Sequence, residues 1–405
     1  MLVIVRCGVL ELQSEPIQLD RNERARADRN ELAGAFGDLG TFAPLVIGMI
    51  AVCKLDAVSI ITVFGLWYII TGLVYRLPVP VQPMKAVAAL AISGAISFGV
   101  IRGAALVIGV ILLALTLTRS LDLFAKITPK NVVRGIQLGL ALTLMNTAAS
   151  YMQKVGSLPF FIAGVPFWIV AAICVAVVLL LYSNRRIPPM FVILPLGVLL
   201  SLMSIPLAGL AVNFHLPSFN ASIAASDIWM GLIILGIAQI PLTIGNSVIA
   251  TDSLANSLFP EKKTVTVRRL GLTLGAMNLF SAFAGGIPMC HGAGGLAGHY
   301  RFGARRETAL FFIGGLLLVL GIFFGNTLTT IFGLIPSPVL GVILFFASLE
   351  LAMALKDVDV GRDLFIVFLV AVSCAFVQYG YLIGWIGGIA VAYAIKRNWI
   401  RLTAH

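Results

Sequence analysis

The chain has 405 residues, of which 60% are hydrophobic and only 11% are charged, and its mean hydropathy is +1.03. Soluble domains carry about 25% charged residues, so this composition excludes an ordinary soluble protein and predicts a polytopic protein of the lipid bilayer. The formal net charge of +11 does not indicate a nucleic-acid partner, because the basic residues are sorted by loop.

Polar residues at 11–30 give the chain an arginine-rich start, and residues 1–30 are expected to form a tail. Long apolar runs follow, each of a length typical of a membrane segment. The first set is 31–52, 57–75, 84–98, 101–121, 132–151, 164–183 and 190–212. The second set is 228–250, 266–284, 289–300, 306–325, 330–353, 362–379 and 381–396. The sequence therefore predicts an all-α membrane protein with 14 segments in two sets of seven.

The lysines and arginines support this topology. Most of the 28 fall in the tails and in alternate loops, while the opposite loops hold Lys54, Arg102 and Lys154. Basic loops stay cytoplasmic, so both termini are predicted to be cytoplasmic. Seven segments in each half make the two halves inverted repeats, as in many transporters.

Two interrupted segments, the third and the tenth, stand at corresponding places in the two halves. Pro78-Val-Pro-Val-Gln-Pro-Met-Lys85 holds three prolines, which forbid an ordinary helix and favour a short extended strand before a short helix. About 205 residues later, Gly285-Gly-Ile-Pro-Met-Cys-His-Gly292 repeats the pattern before a second short helix. Paired interruptions of this kind are the best sequence indication of a transporter's substrate site.

Polar residues within the membrane segments are few, and most lie in segments one, three, eight and ten. Helix N-termini carry free N–H donors and positive partial charge, and Lys85 adds a full charge, so an oxyanion is the predicted ligand. Asp38 is predicted to balance Lys85 or to carry a proton. The predicted substrate-binding residues are Thr41, Gln82, Met84, Lys85, Gln239, Met289, Cys290, His291 and Gly292.

Each of these interpretations has a structural alternative. Lys85 could form an ion pair with Asp38, and His291 could pack while bonding a carbonyl group. Gly292, Gly294, Gly295 and Gly298 could form a helix-packing face, and Gln239 and Asn246 could join helices. Glu350 is predicted to be an interfacial residue near Lys356. The five cysteines are scattered without a CxxC pattern, so they predict neither disulfides nor a metal site, and no cofactor is expected.

Three motifs resemble the molybdate transporter family, a branch of the sulfate permease superfamily. They are Phe36-Gly-Asp-Leu-Gly-Thr-Phe-Ala-Pro-Leu45, Pro78-Val-Pro-Val-Gln-Pro-Met-Lys85, and Pro288-Met-Cys-His-Gly-Ala-Gly-Gly-Leu-Ala-Gly298 with Tyr300-Arg-Phe-Gly-Ala-Arg305 after it. The resemblance covers essentially the whole membrane region. It implies the fold of nucleobase permeases and bicarbonate exchangers, and it implies no cytoplasmic regulatory domain after Lys396.

The resemblance also implies a division into domains and a mechanism. Segments 1–4 and 8–11 would form a core, at 31–122 and 227–328, and the other segments a gate, at 123–226 and 329–396, before a tail at 397–405. The oxyanion would lie between half-helices three and ten, with the core moving against the gate like an elevator. Two protomers would pair through their gates as a homodimer.

Several rival functions remain open at this point. Molybdate, tungstate and sulfate share charge and shape, so a sulfate or general oxyanion carrier is the nearest alternative. A nucleobase permease of the same fold and a channel are more distant. An intramembrane enzyme would need a constellation such as HExxH or GxSxG, and neither pattern occurs. A plasma membrane is the expected location, and the coupling ion cannot be read from the sequence.

Overall fold

Helices occupy each of the fourteen apolar segments predicted from the sequence. The computed structural model describes residues 29–154, 166–181, 189–203, 212–358 and 362–400, so the predicted tails up to residue 28 and from residue 401 lie outside the described residues. The first half contains α1 (Leu39–Cys53), α2 (Ala57–Tyr75), β1 (Gln82–Pro83), α3 (Lys85–Gly94), α4 (Phe98–Leu117), α5 (Leu121–Ile127), α6 (Lys130–Met152), α7 (Phe167–Leu181) and α8 (Met190–Leu202).

The second half repeats this order of elements. It contains α9 (Ala225–Leu258), α10 (Val267–Phe283), β2 (Met289–Cys290), α11 (Ala293–Arg301), α12 (Thr308–Gly333), α13 (Ser337–Ala352), α14 (Arg362–Phe376) and α15 (Gly380–Lys396). A short helical stretch at 29–35 precedes α1, and a short 3₁₀ helix, Met353–Asp357, extends α13. The seven-residue α5 lies in a stretch that the sequence analysis left as a loop.

Seven helices in the described part of the chain are long and apolar enough to cross a membrane. They are Arg29–Cys53, Ala57–Tyr75, Phe98–Leu117, Lys130–Met152, Ala225–Leu258, Thr308–Gly333 and Ser337–Lys356. A helix satisfies its own backbone hydrogen bonds, which is why long apolar runs adopt it in lipid. The chain is therefore an integral, multi-pass membrane protein, and the total of fourteen crossings stays a prediction.

Two helix pairs, α2 with α12 and α4 with α10, pack closely through glycines. A Cβ atom at Gly65 of α2 would lie 2.7 Å from the backbone N of Leu318, and one at Gly109 of α4 would lie 2.9 Å from the backbone N of Leu279. Small residues let membrane helices approach in this way. In the numbering of the predicted segments, these pairs are 2 with 11 and 4 with 9. Segment 2 corresponds to segment 9 in the other half, and segment 4 to segment 11, so the two pairs are equivalent.

A second group of helices packs together, in which α6 lies against both α13 and α14, and α14 lies against α15. This grouping follows the predicted gate, and the domain boundaries given above stay predictions. Contacts between the two groups include α3 with α6 and α1 with α13.

The two interrupted segments meet as a two-stranded antiparallel sheet, with Gln82 opposite Cys290 and Pro83 opposite Met289. The Met84 amide continues the pairing by donating to the Pro288 carbonyl at 2.9 Å. The helices that follow are short: the ten residues of α3 span about 15 Å, half of a bilayer core of about 30 Å. The predicted half-helices preceded by extended strands are thus confirmed, although α3 ends four residues earlier than expected.

Candidate functional site

The start of α3 is capped by a side chain from α9. Gln239 Oε1 accepts hydrogen bonds from the backbone N–H groups of Ala86, at 2.8 Å, and Val87, at 3.3 Å. First-turn amides of a helix have no partner within the helix, so this cap uses two of the three donors that the α3 terminus offers. Gln239 Nε2 in turn donates to Thr243 Oγ1 at 2.8 Å, which fixes the orientation of the amide. Gln239 therefore positions α3.

Gln239 lies where α9 departs from regular geometry. Two π-helical stretches, Gly231–Gly236 and Thr243–Ala250, flank the turn that carries Gln239 and Pro241. Wider π turns rotate the following side chains relative to a regular helix, and they are frequent at functional sites. The sequence analysis predicted a continuous segment here and missed both stretches.

Lys85 is the first residue of α3, and its side chain is half-buried. It forms neither a hydrogen bond nor an ion pair with any residue in the described part of the chain. Its charge does act electrostatically on two carboxyl groups, those of Asp38 and Glu350. The alternative in which Lys85 forms a structural ion pair with Asp38 is therefore not adopted in this conformation, and the ammonium group keeps its donors.

The start of α11 is open where that of α3 is capped. Gly292 is the N-cap residue, and its carbonyl accepts from the amides of Gly295 and Leu296 at 3.1 and 3.2 Å. Ala293 and Gly294 occupy the first two positions, where amides have no partner within a helix. Gly294 is exposed, and a Cβ atom there would meet nothing within 4 Å. Open space thus adjoins two backbone donors.

The other glycines of this segment are packed against protein. A Cβ atom at Gly292 would overlap Gln82 Oε1, one at Gly295 would lie 2.8 Å from Asp38 Cγ, and one at Gly298 would lie 2.7 Å from the Gly37 carbonyl oxygen. Helix packing and close approach of a ligand therefore both apply to this run of glycines, but at different residues. Three glycines allow α11 to contact the residues before α1 and the β1 strand, and Gly294 leaves room for a ligand.

Asp38 and Gln82 form a buried pair beside α11. Gln82 Nε2 donates to Asp38 Oδ1 at 2.5 Å, and both side chains are at most 3% exposed. Asp38 Oδ2 and Gln82 Oε1 are buried without a hydrogen-bond partner among the described residues. A buried acceptor without a donor costs free energy. A proton, a water molecule or a ligand donor at this place would therefore be stabilised.

His291 is fully buried and bonded through both ring nitrogens. Nδ1 lies 2.8 Å from the Pro80 carbonyl oxygen, and Nε2 lies 2.9 Å from Thr273 Oγ1. A carbonyl oxygen can only accept, so Nδ1 carries a proton and donates to Pro80, and Nε2 is paired with the threonine hydroxyl. The backbone carbonyl of His291 also accepts from Thr251 Oγ1 at 2.8 Å. This geometry favours the structural alternative, in which His291 joins the two interrupted segments.

The predicted residues Met84, Met289 and Cys290 have buried side chains, at 0%, 0% and 3% exposure. They can contribute apolar packing and backbone groups, but those groups are in part already used. Asn278 of α10, which the sequence analysis missed, holds Met289 through both its carbonyl, at 2.8 Å, and its amide, at 2.9 Å.

Tyr68 of α2 is the counterpart of Asn278 in the other half. Its hydroxyl group lies near the backbone of Val81, just before β1. Tyr68 and Asn278 each lie eleven residues after the first residue of their helix, at Ala57 and Val267. A polar side chain at the same offset in two corresponding segments is a signal that could have identified both.

Thr41 of α1 contacts Glu350, a pairing that the sequence analysis did not predict. Thr41 Oγ1 donates to Glu350 Oε2 at 3.3 Å, and Lys85 acts electrostatically on the same carboxyl group. The prediction that Glu350 is an interfacial residue near Lys356 stays a prediction, and the structure adds that Glu350 contacts Thr41 of α1. Glu350 is the one charged residue of α13, and a lone charge within an apolar helix could have flagged it.

A cavity of about 430 Å³ lies between α9 and the α5–α6 region. From α6 it is lined by the basic residues Lys130 and Arg134, and from α9 by Pro241 and Asn246. The predicted polar residue Asn246 thus faces a cavity. The basic lining would favour an anion over a cation.

Comparison with known proteins agrees with the architecture. Residues 30–144 and 231–351 match the family model described as "Molybdate transporter of MFS superfamily". Molybdate transporter 2 of Arabidopsis thaliana is 34% identical over 84% of this chain and 82% of its own length. Molybdate transporter 1 of Arabidopsis thaliana is 33% identical over 92% and 89% of the two chains. Both ranges matched by the family model contain candidate site residues: Asp38 to Lys85 lie in the first range, and Gln239 to Glu350 lie in the second.

Solved structures show the fold. The transmembrane domain of the cyanobacterial bicarbonate transporter BicA superposes with a TM-score of 0.63, at 15% identity, over 91% of this chain and 97% of that domain. Murine solute carrier 26 family member A9, titled an anion transporter in the inward-facing state, gives 0.67 at 14% identity, over 99% and 77% of the chains. The chain is a transporter rather than an enzyme. The family match and the two relatives confirm the resemblance seen in the motifs, and the chain belongs to the molybdate transporter family.

Proposed function

We propose that this chain carries molybdate across the membrane, with the oxyanion bound between the first turns of α3 and α11. The family assignment and the names of the relatives support the substrate, and the fold shared with anion transporters supports the sign of its charge. The ligand is a tetrahedral dianion whose oxygens accept hydrogen bonds, so the site must offer several donors and net positive charge.

The observation that carries the proposal is the meeting of two helix N-termini at one short sheet. Each terminus contributes roughly half a positive charge. At this meeting point Lys85 is half-buried and has no hydrogen-bond or ion-pair partner in the described part of the chain. An ammonium group that forms no ion pair within a membrane protein is costly, and a bound anion would offset that cost.

The proposed ligand set consists of donors that are unbonded or, for Thr41, bonded only to the side chain of Glu350. Lys85 supplies charge, Thr41 its hydroxyl group, and Ala293 and Gly294 their amides. Gln82 lies behind them, bonded to Asp38, which balances charge or carries a proton. Gln239 and His291 support the site by holding α3 and β1 in place, since their polar atoms are bonded to protein.

We further propose alternating access in which α1–α4 and α9–α12 move as one body against α6–α8 and α13–α15. The close packing of α2 on α12 and of α4 on α10 supports a rigid moving body. The cavity of about 430 Å³ between α9 and α6 would serve as a route between the site and one side of the membrane. A homodimer, a plasma-membrane location, cytoplasmic termini and transport into the cell stay predictions.

The test is uptake of labelled molybdate into proteoliposomes that contain the purified protein, with protein-free liposomes as the control. We expect saturable uptake that tungstate inhibits and uracil does not. Strong inhibition by sulfate would widen the assignment to a general oxyanion carrier. The proposal would be overturned by vesicles that take up sulfate or bicarbonate but no molybdate.

A further inference from the structure

Glu350 brings a carboxylate to the site from the opposite group of helices. It lies on α13, whereas Thr41 and Lys85 lie on α1 and α3. Thr41 and Lys85 are half-buried and Glu350 is exposed, so the contact between Thr41 and Glu350 lies at an accessible part of the protein. Charged side chains on membrane helices are rare and usually functional.

Glu350 uses two of the groups that the proposed site offers to its ligand. The hydroxyl group of Thr41 donates to Glu350 Oε2 at 3.3 Å. The charge of Lys85 attracts the same carboxylate, and the carboxyl group of Asp38 interacts with it electrostatically. In the described part of the chain, these are the charged residues that act on Glu350.

A carboxylate resembles an oxyanion: it carries negative charge on oxygens that accept hydrogen bonds. Molybdate entering between α3 and α11 would need the same hydroxyl group and the same ammonium charge. Two anions within a few ångströms of each other repel strongly where water is scarce. The carboxylate and the substrate therefore cannot both occupy this position.

We propose, on the basis of the function proposed above, that Glu350 is a built-in competitor of the substrate. In the empty transporter its carboxylate takes the place of the oxyanion at Thr41 and faces Lys85, and molybdate binds only by displacing it. Because Glu350 belongs to α13, this contact also holds α1 and α13 together when the site is empty. Glu350 thereby lowers affinity for the substrate and assists its release.

The test compares Glu350→Gln with the wild type for molybdate uptake and for equilibrium binding of tungstate to the purified protein. Removing the charge should lower both KM and the dissociation constant at least fivefold, and it should lower kcat because release slows. Glu350→Asp keeps the charge but withdraws it by one methylene group, so we expect a smaller fall in KM. Glu261→Gln, the same change in an exposed loop, should alter neither constant.

The outcomes separate this inference from the proposed function. If the wild type takes up molybdate but Glu350→Gln leaves KM and the tungstate affinity unchanged or weaker, the inference is overturned. A variant that does not fold leaves Glu350→Asp to decide, since a KM no lower than that of the wild type contradicts competition. Wild-type vesicles that take up no molybdate would overturn the proposed function instead.

Discussion

The first turns of α3 and α11 occupy equivalent places in the two repeats, but they are built differently. At α3 two of the amides are occupied by Gln239, and the terminus carries the charged side chain of Lys85. At α11 the terminus begins with Gly292, Ala293 and Gly294, and open space adjoins it. Each terminus is contacted from the start of the opposite repeat. Gln239 of α9 bonds to the α3 terminus, and Asp38, just before α1, lies against Gly295 of α11.

The difference indicates that the two termini contribute different groups to the binding of a ligand. The α3 terminus is sealed by protein, so it offers charge through a side chain and little through its backbone. The α11 terminus lacks both a cap and a side chain, so it offers backbone donors and room. Two identical termini would bind two small anions equally well. Here the α3 terminus forms a charged wall of the site, and the α11 terminus forms a wall lined with backbone donors. This arrangement suits a single oxyanion between the two termini.

The largest expected effect comes from removing the charged wall. Lys85→Ala should reduce molybdate uptake by roughly 100-fold, since charge-assisted hydrogen bonds contribute about 1.5–3 kcal/mol each. Uptake by vesicles with matched protein content measures it. Lys54→Ala, in the turn after α1, is the control and should behave as the wild type. Near-normal uptake by Lys85→Ala would mean that the α3 terminus does not provide the binding charge.

The donor-lined wall can be tested with two neighbouring glycines. Gly294→Ala adds a methyl group where no atom lies within 4 Å, so we expect unchanged thermal stability and uptake lowered about fivefold. Gly292→Ala would overlap Gln82, so it should destabilise the protein by about 1–3 kcal/mol. Thermal unfolding in detergent, beside uptake, separates the two. Full uptake by Gly294→Ala would show that no ligand approaches this turn.

The cap on α3 predicts different effects for two substitutions of Gln239, one on stability and one on KM. Gln239→Ala leaves the Ala86 and Val87 amides buried without an acceptor, which should cost about 1–3 kcal/mol of stability. Gln239→Glu keeps the acceptor, so it should be more stable than Gln239→Ala, but its negative charge should raise KM several-fold. Unfolding temperature and KM measure these effects. If both variants lost uptake equally with no loss of stability, Gln239 would be a ligand rather than a cap.

The smallest expected effect concerns Asp38, which lies behind both walls. Asp38 Oδ2 is buried without a partner in the described part of the chain, and a proton there would satisfy it. If Asp38 carries the coupled proton, Asp38→Asn should flatten the pH dependence of uptake measured between about pH 5 and 8. Asp56→Asn is the control, because asparagine also caps helices well. An unchanged profile in Asp38→Asn would remove Asp38 from coupling.

The sequence contained enough to predict the architecture and the centre of the site. Apolar length fixes the helices, and the prolines at 78, 80 and 83 end one helix and extend the chain before the next. The position of Lys85 at the first turn of α3 follows from these local rules. The interrupted segments were therefore predictable without any knowledge of packing.

What the sequence did not predict depends on helix rotation. Gln239 and Ala86 are 153 residues apart, and Thr41 and Glu350 are 309 residues apart. No local pattern specifies which side of α9 or α13 faces the site, and the π turns of α9 rotate Gln239 further. The same dependence explains why Gly294 is open while Gly292 and Gly295 are packed.

The two-residue sheet has a consequence for biosynthesis. Gln82 and Pro83 pair with residues that the ribosome adds about 200 residues later, which takes roughly 10–40 s at about 5–20 residues per second. Until then α3, the unpaired β1 strand and Lys85 lie in or beside the bilayer without their partners. Unsatisfied backbone groups are costly there. Assembly of this centre is therefore a late step that comes after insertion of the first repeat, and a chain released before α11 would hold all of the first repeat and no binding site.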